Sequence, residues 1–136
     1  MINGVILSKL QTMDELLAEL RTLGNVRISQ LEKEWQTRRA IERNLQVLSE
    51  IVIDVCQRLI SMADQSPATT SVDAIERCVK LGALASLGSY KKMIQFRNFI
   101  VHRYEKMDLA ILVDIINNRL SNFDLFKKEI MDYVSR

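Results

Sequence analysis

Apolar residues recur at three- and four-residue spacing along almost the whole chain, the period of one helical face. Val5, Ile6, Leu10, Met13, Leu16, Leu17 and Leu20 predict a first helix over residues 2–23, halted by Gly24-Asn25. A longer pattern through Leu31, Trp35, Ile41, Leu45, Leu48, Val52, Val55, Leu59 and Met62 predicts a spine helix over 29–63, closed by Asp64-Gln65-Ser66-Pro67. After a short polar linker, Thr70-Ser71-Val72-Asp73 resembles a capping box with Asp in place of Glu, and a short third helix runs over 75–81 to Gly82. Residues 84–89 lead into a fourth helix over 90–104. Asp108 then caps a last helix carrying Ile111, Ile115, Ile116, Leu120, Phe123, Phe126, Ile130 and Val134. The pattern predicts an antiparallel helical bundle of four long helices plus one short helix.

Composition agrees with this architecture. The 136 residues are 48% hydrophobic and 26% charged, enough for one core and too few for two ordinary domains, so residues 1–136 read as a single domain. One proline and four glycines leave few turns, which disfavours a many-stranded sheet and makes all-α the expected class. Cys56 and Cys78 each sit inside an apolar helical pattern and form no Cys-x-x-Cys, so no disulfide framework is expected and a reducing cytoplasm fits. The first ten residues lack the features of a secretory signal, and no apolar run approaches the ~18 residues that a membrane span needs.

The fourth predicted helix contains an anomaly. Tyr90, Met93, Ile94, Arg97, Ile100, Val101 and Tyr104 fall within one stripe at about 100° per residue, with a guanidinium near its middle. Burying an unpaired guanidinium costs several kcal/mol, so Arg97 must meet an acid, face a second subunit or look into a polar cleft. Asp54, on the flank of the spine helix, is an available acid. The chain's one histidine, His102, follows five residues after Arg97, a divergence of roughly 140° on an ideal helix. The two side chains can converge only if the helix bends or ends near His102, or if the same pair is supplied by a second copy across a two-fold axis. Asn98 is four residues before His102 and shares its flank.

Charge changes the picture further. The net charge is +2, yet residues 86–106 carry Lys91, Lys92, Arg97, Arg103 and Lys106 against Glu105 alone, so the positive excess coincides with the histidine segment. A solvated basic face would explain that excess, and so would attraction for a polyanion. Other chemistries lack their parts: there is no phosphate-cradling glycine loop, no His-Glu-x-x-His, and one histidine with two isolated cysteines cannot build an ordinary zinc site. No metal and no cofactor are implied. Trp35 and the aromatic residues near the C-terminus suit a core or an interface better than a binding platform.

The run Arg97-Asn98-x-x-Val101-His102-x-Tyr104, followed by Met107-Asp108-Leu109, resembles the signature of the HepT-like toxins of the HEPN ribonuclease superfamily, formerly grouped as a DUF86-type family, whose general motif is Arg-x4-6-His. Upstream, 39–47 and 53–55 are similar to the family's second helix. The family usually has an acidic residue between His and Tyr, where this chain has Arg103. The resemblance implies a metal-independent endoribonuclease toxin, a homodimer with its cleft at the subunit junction, and a partner nucleotidyltransferase antitoxin of the MNT type that transfers AMP to Tyr104. In that frame His102, with an unperturbed pKa near 6.5, can exchange protons with a ribose 2′-hydroxyl or a leaving 5′-oxygen, leaving a 2′,3′-cyclic phosphate. Arg97 offers planar paired donors to phosphate, and Asn98 and Asp54 support the pair. A catalytically silent helical module that dimerises or binds nucleic acid is the alternative reading.

Overall fold

The computed structural model describes residues 3–101 and 109–136, with backbone alone at 99–101. Among these residues every regular element is a helix: α1 Gly4–Arg21, α2 Ile28–Lys33, α3 Trp35–Met62, α4 Ser71–Leu81, a 3-10 turn Gly88–Tyr90, α5 Lys91–Val101, α6 Leu109–Asn118 and α7 Ser121–Val134. No helix among them is long and apolar enough to cross a membrane.

Local chemistry sets most helix ends. The Asn3 carboxamide accepts from the backbone N–H groups of Val5 (2.9 Å) and Ile6 (3.2 Å), satisfying two donors that the first turn of α1 leaves orphaned. At α4 the Thr70 hydroxyl accepts from Asp73 N–H at 2.9 Å, and the Asp73 carboxylate accepts from Thr69 N–H at 3.1 Å. Thr70 thus caps the helix as expected, while the Asp73 carboxylate binds the N–H one residue before the cap instead of closing the box on Thr70 itself. Gly82 ends α4 at φ 86°, a left-handed conformation that glycine adopts without a Cβ penalty.

Two predicted helices are divided. The spine breaks at Glu34 (φ −106°, ψ 78°), separating α2 from α3. On an unbroken helix Leu31 and Trp35, four apart, would share a face. Here Leu31 is fully buried and Trp35 is 59% exposed, with the Arg39 guanidinium 6.0 Å from its ring centroid. Trp35 is thus not a core residue. The last predicted helix likewise splits into α6 and α7 around Arg119-Leu120, where a turn still keeps Ile116, Leu120 and Phe123 inside. The predicted cap residue Asp108 lies outside the described residues.

The spine α3, 28 residues and about 42 Å long, carries the core. Its buried Ile41, Leu45, Leu48, Val52, Val55 and Leu59 face Ile6, Leu10, Met13, Leu17 and Leu20 of α1. Side-chain pairs fix the antiparallel sense: Asn44 donates to Glu19 at 2.9 Å, and Lys9 pairs with Asp54 at 3.2 Å, about 15 Å further along both helices. Helix α7 runs antiparallel to α1 through Arg21 with Asp124 and Lys127 with Asp14. Full burial of each such aliphatic side chain contributes about 1.5–3 kcal/mol, so these faces, more than the surface ion pairs, hold the bundle. Cys56 and Cys78 are both free and fully buried, and the Cys78 thiol donates to the Cys56 carbonyl at 3.6 Å. The hydrogen bond with Cys78 and then burial push the Cys56 thiol well above the usual range.

Candidate functional site

Helix α5 is positioned at its start. Tyr90, fully buried, donates from its hydroxyl to Glu129 of α7, and its ring meets Phe126 edge-on at 5.6 Å. Met93, Ile94 and Phe96 are buried after it, so α5 is covered on more than the one stripe that the spacing suggested. Arg97 follows, half-buried, as the stripe predicted.

Among the described residues the partner of Arg97 is not an acid. Its Nη1 donates to the Ser71 hydroxyl at 3.3 Å, at the first residue of α4. Its Nε is sealed from solvent with no hydrogen-bond acceptor among the described residues. Asp54 instead pairs with Lys9, on the α1 side of the spine and largely exposed, which removes it as the acid that balances Arg97. The one carboxylate in the first turn of α4, Asp73, is committed to Thr69 N–H and lies 3.9 Å from Arg77. A guanidinium beside a helix start meets the positive end of the helix dipole, so the local field favours an anion. Ser71 was not found from sequence; its appearance inside a capping motif was the only signal, and that motif explains Thr70 rather than Ser71.

Asn98 is exposed on α5, on the flank next to Arg97. His102, Arg103 and Tyr104 lie outside the described residues. Of the basic segment, Lys91 and Lys92 are exposed at the start of α5. On another side of α5, Lys92, Gln95 and Phe96 form a cleft of about 210 Å³ with Ile111, Asp114 and Ile115 of α6. The Asp114 carboxyl is held below its usual range, first by a hydrogen bond from Arg119, then by Asn118, with Lys92 adding a charge of opposite sign. Arg97 does not line this cleft.

Comparison with known proteins places this geometry. The mRNA nuclease HepT of Shewanella oneidensis is 22% identical over 127 residues, spanning 92% of this chain and 95% of that protein. The tri-AMPylated Shewanella oneidensis HEPN toxin, solved in complex with its MNT antitoxin, superposes with a TM-score of 0.85 at 22% identity, covering 96% of this chain and 99% of that one. A toxin–antitoxin structure with AMP-PNP matches with a TM-score of 0.84 at 21% identity and the same coverage. At such identities the structural likeness establishes the fold. The sequence profile described as Ribonuclease HepT-like matches residues 13–130, a span that takes in the spine, Arg97 and the helices on either side, and the chain belongs to that family.

Proposed function

We propose that this protein is a metal-independent endoribonuclease, the toxin half of a toxin–antitoxin pair, acting as a homodimer. The observation that carries the reading is the state of Arg97: a half-buried guanidinium held by a neutral hydroxyl with no acidic partner among the described residues, which leaves its charge for a ligand anion. Membership of a family described as Ribonuclease HepT-like supports reading that anion as an RNA phosphate. In the proposed reaction a ribose 2′-oxygen attacks the adjacent phosphorus as His102 accepts its proton. The bond to the 5′-oxygen then breaks as that oxygen gains a proton, leaving a 2′,3′-cyclic phosphate and a 5′-hydroxyl. Arg97 stabilises the extra negative charge on the phosphorane, a role often worth about 3 kcal/mol or more. Asn98 holds the imidazole or contacts the scissile phosphate.

The five-residue offset between Arg97 and His102 supports a cleft completed by a second copy. Neutralisation by an MNT-type nucleotidyltransferase that adenylylates Tyr104 fits the AMP-bearing relative. The test is cleavage of a single-stranded RNA by the purified protein in excess EDTA, with product ends resolved by mass. Fragments ending in 2′,3′-cyclic phosphate are expected, and cleavage that requires added divalent metal overturns the metal-independent assignment.

A further inference from the structure

Arg97 presents five N–H donors in a rigid plane, and the structure assigns few of them. One Nη1 hydrogen goes to Ser71 at 3.3 Å, and Nε is buried without an acceptor among the described residues. A carboxylate in place of the hydroxyl would make a stronger, charge-assisted bond to the same Nη1 and neutralise the guanidinium. The chain has a carboxylate two residues away, Asp73, but turns it to Thr69 N–H and toward Arg77. Among the described residues the arrangement orients the guanidinium while withholding a counter-charge.

We propose that Ser71 is a positioning residue for the RNA-cleaving site: a neutral tether that aims the Arg97 guanidinium without discharging it. The inference rests on the ribonuclease reading above, which gives Arg97 its phosphate. A hydroxyl at this distance restricts the long arginine side chain, so the entropy of ordering it is spent before substrate arrives. A carboxylate would restrict it equally and compete with phosphate for the same donors. The difference between tethering and neutralising is therefore a difference of charge alone, and it can be measured.

Ser71 is well placed for that measurement because the fold tolerates change there. The cap of α4 is Thr70, so Ser71→Ala leaves it intact, and an acid at the first helical position is favoured by the dipole. Three variants follow: Ser71→Ala, Ser71→Thr and Ser71→Asp, with circular dichroism and thermal melting to confirm folding. For RNA cleavage we expect Ser71→Ala to lower kcat by ~10-fold with little change in KM, since misplacing a transition-state group acts on the chemical step. Ser71→Thr, which keeps the hydroxyl, should recover activity to within ~3-fold of the native protein. Ser71→Asp should be worse than Ser71→Ala, because its carboxylate captures the guanidinium. A fully active Ser71→Ala, or Ser71→Asp no worse than Ser71→Ala, overturns the tether.

Binding of a non-cleavable 2′-deoxy oligonucleotide separates the two claims. Ser71→Asp should weaken it and flatten its salt dependence as Arg97→Ala does, whereas Ser71→Thr should match the native protein. If the native protein cleaves no RNA, the ribonuclease reading fails while this binding order still judges the tether. If cleavage holds and Ser71→Asp binds like native, the tether fails alone.

Discussion

Tyr90 and Glu129 join the start of α5 to α7: the phenol donates to one oxygen of the carboxylate, while the other oxygen accepts from the backbone N–H of Ala85. One side chain of α7 thus closes the connection between α4 and α5 and sets where α5 begins, six residues before Arg97.

That pair makes stability fall in alkali. Burial first, and then the hydrogen bond to Glu129, hold the Tyr90 proton far above the ordinary phenol range. The unfolded phenol ionises near pH ~10. Above that pH the unfolded state binds fewer protons than the folded one, so this contribution is complete below pH ~10 and is lost as pH rises further. Tyr90→Phe should destabilise the protein by about 1–3 kcal/mol at pH 8 and lose less than the native protein on going to pH 11. Urea titrations at both pH values measure this, and parallel losses in the two proteins would contradict it.

Arg97→Lys keeps a positive charge but forfeits the planar paired donors, so kcat for RNA cleavage should drop by ~10²-fold or more while the helical spectrum is retained. His102→Ala should abolish cleavage outright in a folded protein. A folded His102→Ala that still cuts RNA at the native rate removes His102 from the mechanism.

Dilution tests the composite cleft. Specific activity should decline below the concentration at which light scattering shows the dimer dissociating, and full activity of a monomer would refute the shared site.

Co-expression with the cognate nucleotidyltransferase should add AMP to the peptide containing Tyr104, detected as mass increments. On the proposed mechanism the added AMP should bring bulk and a negative phosphate that compete with RNA for the Arg97 guanidinium, inhibiting without unfolding. Tyr104→Phe should escape neutralisation; if it is silenced as efficiently as native protein, control runs through complex formation alone.

Trp35→Ala should change stability by no more than about 0.5 kcal/mol, because the ring is 59% exposed. Phe126→Ala, which empties a fully buried site, should cost about 3–5 kcal/mol. A large loss at Trp35 would mean that its ring is covered in the assembled protein.

The helical class, the glycine stop of α4 and the exceptional place of Arg97 were legible, because each depends on local periodicity or a cap. Two helix starts differ from what the apolar spacing marks: α1 begins later, at Gly4 behind Asn3, and α4 earlier, at Ser71. The break at Glu34 was not legible, since no glycine or proline marks it. Leu31 and Trp35 both look apolar, and only burial shows that the chain re-phases between them so that one points inward and the other outward. Asp54 failed as the partner of Arg97 for a related reason. Sequence places it on the spine helix but does not say which neighbour lies on that flank, and α1 brings Lys9 there instead. Ser71 escaped notice because a half-buried serine beside an arginine is a fact of tertiary packing with no trace in spacing.

Both thiols of the chain are walled inside the contact between α3 and α4, and that gives the protein a built-in clock for its own opening. A maleimide or an aromatic disulfide cannot reach Cys56 or Cys78 in the closed bundle, so modification proceeds at the pace at which those helices part. Oxidants meet a different sulfur first: Met62, 52% exposed at the end of α3, can take up oxygen while the two buried thiols are untouched.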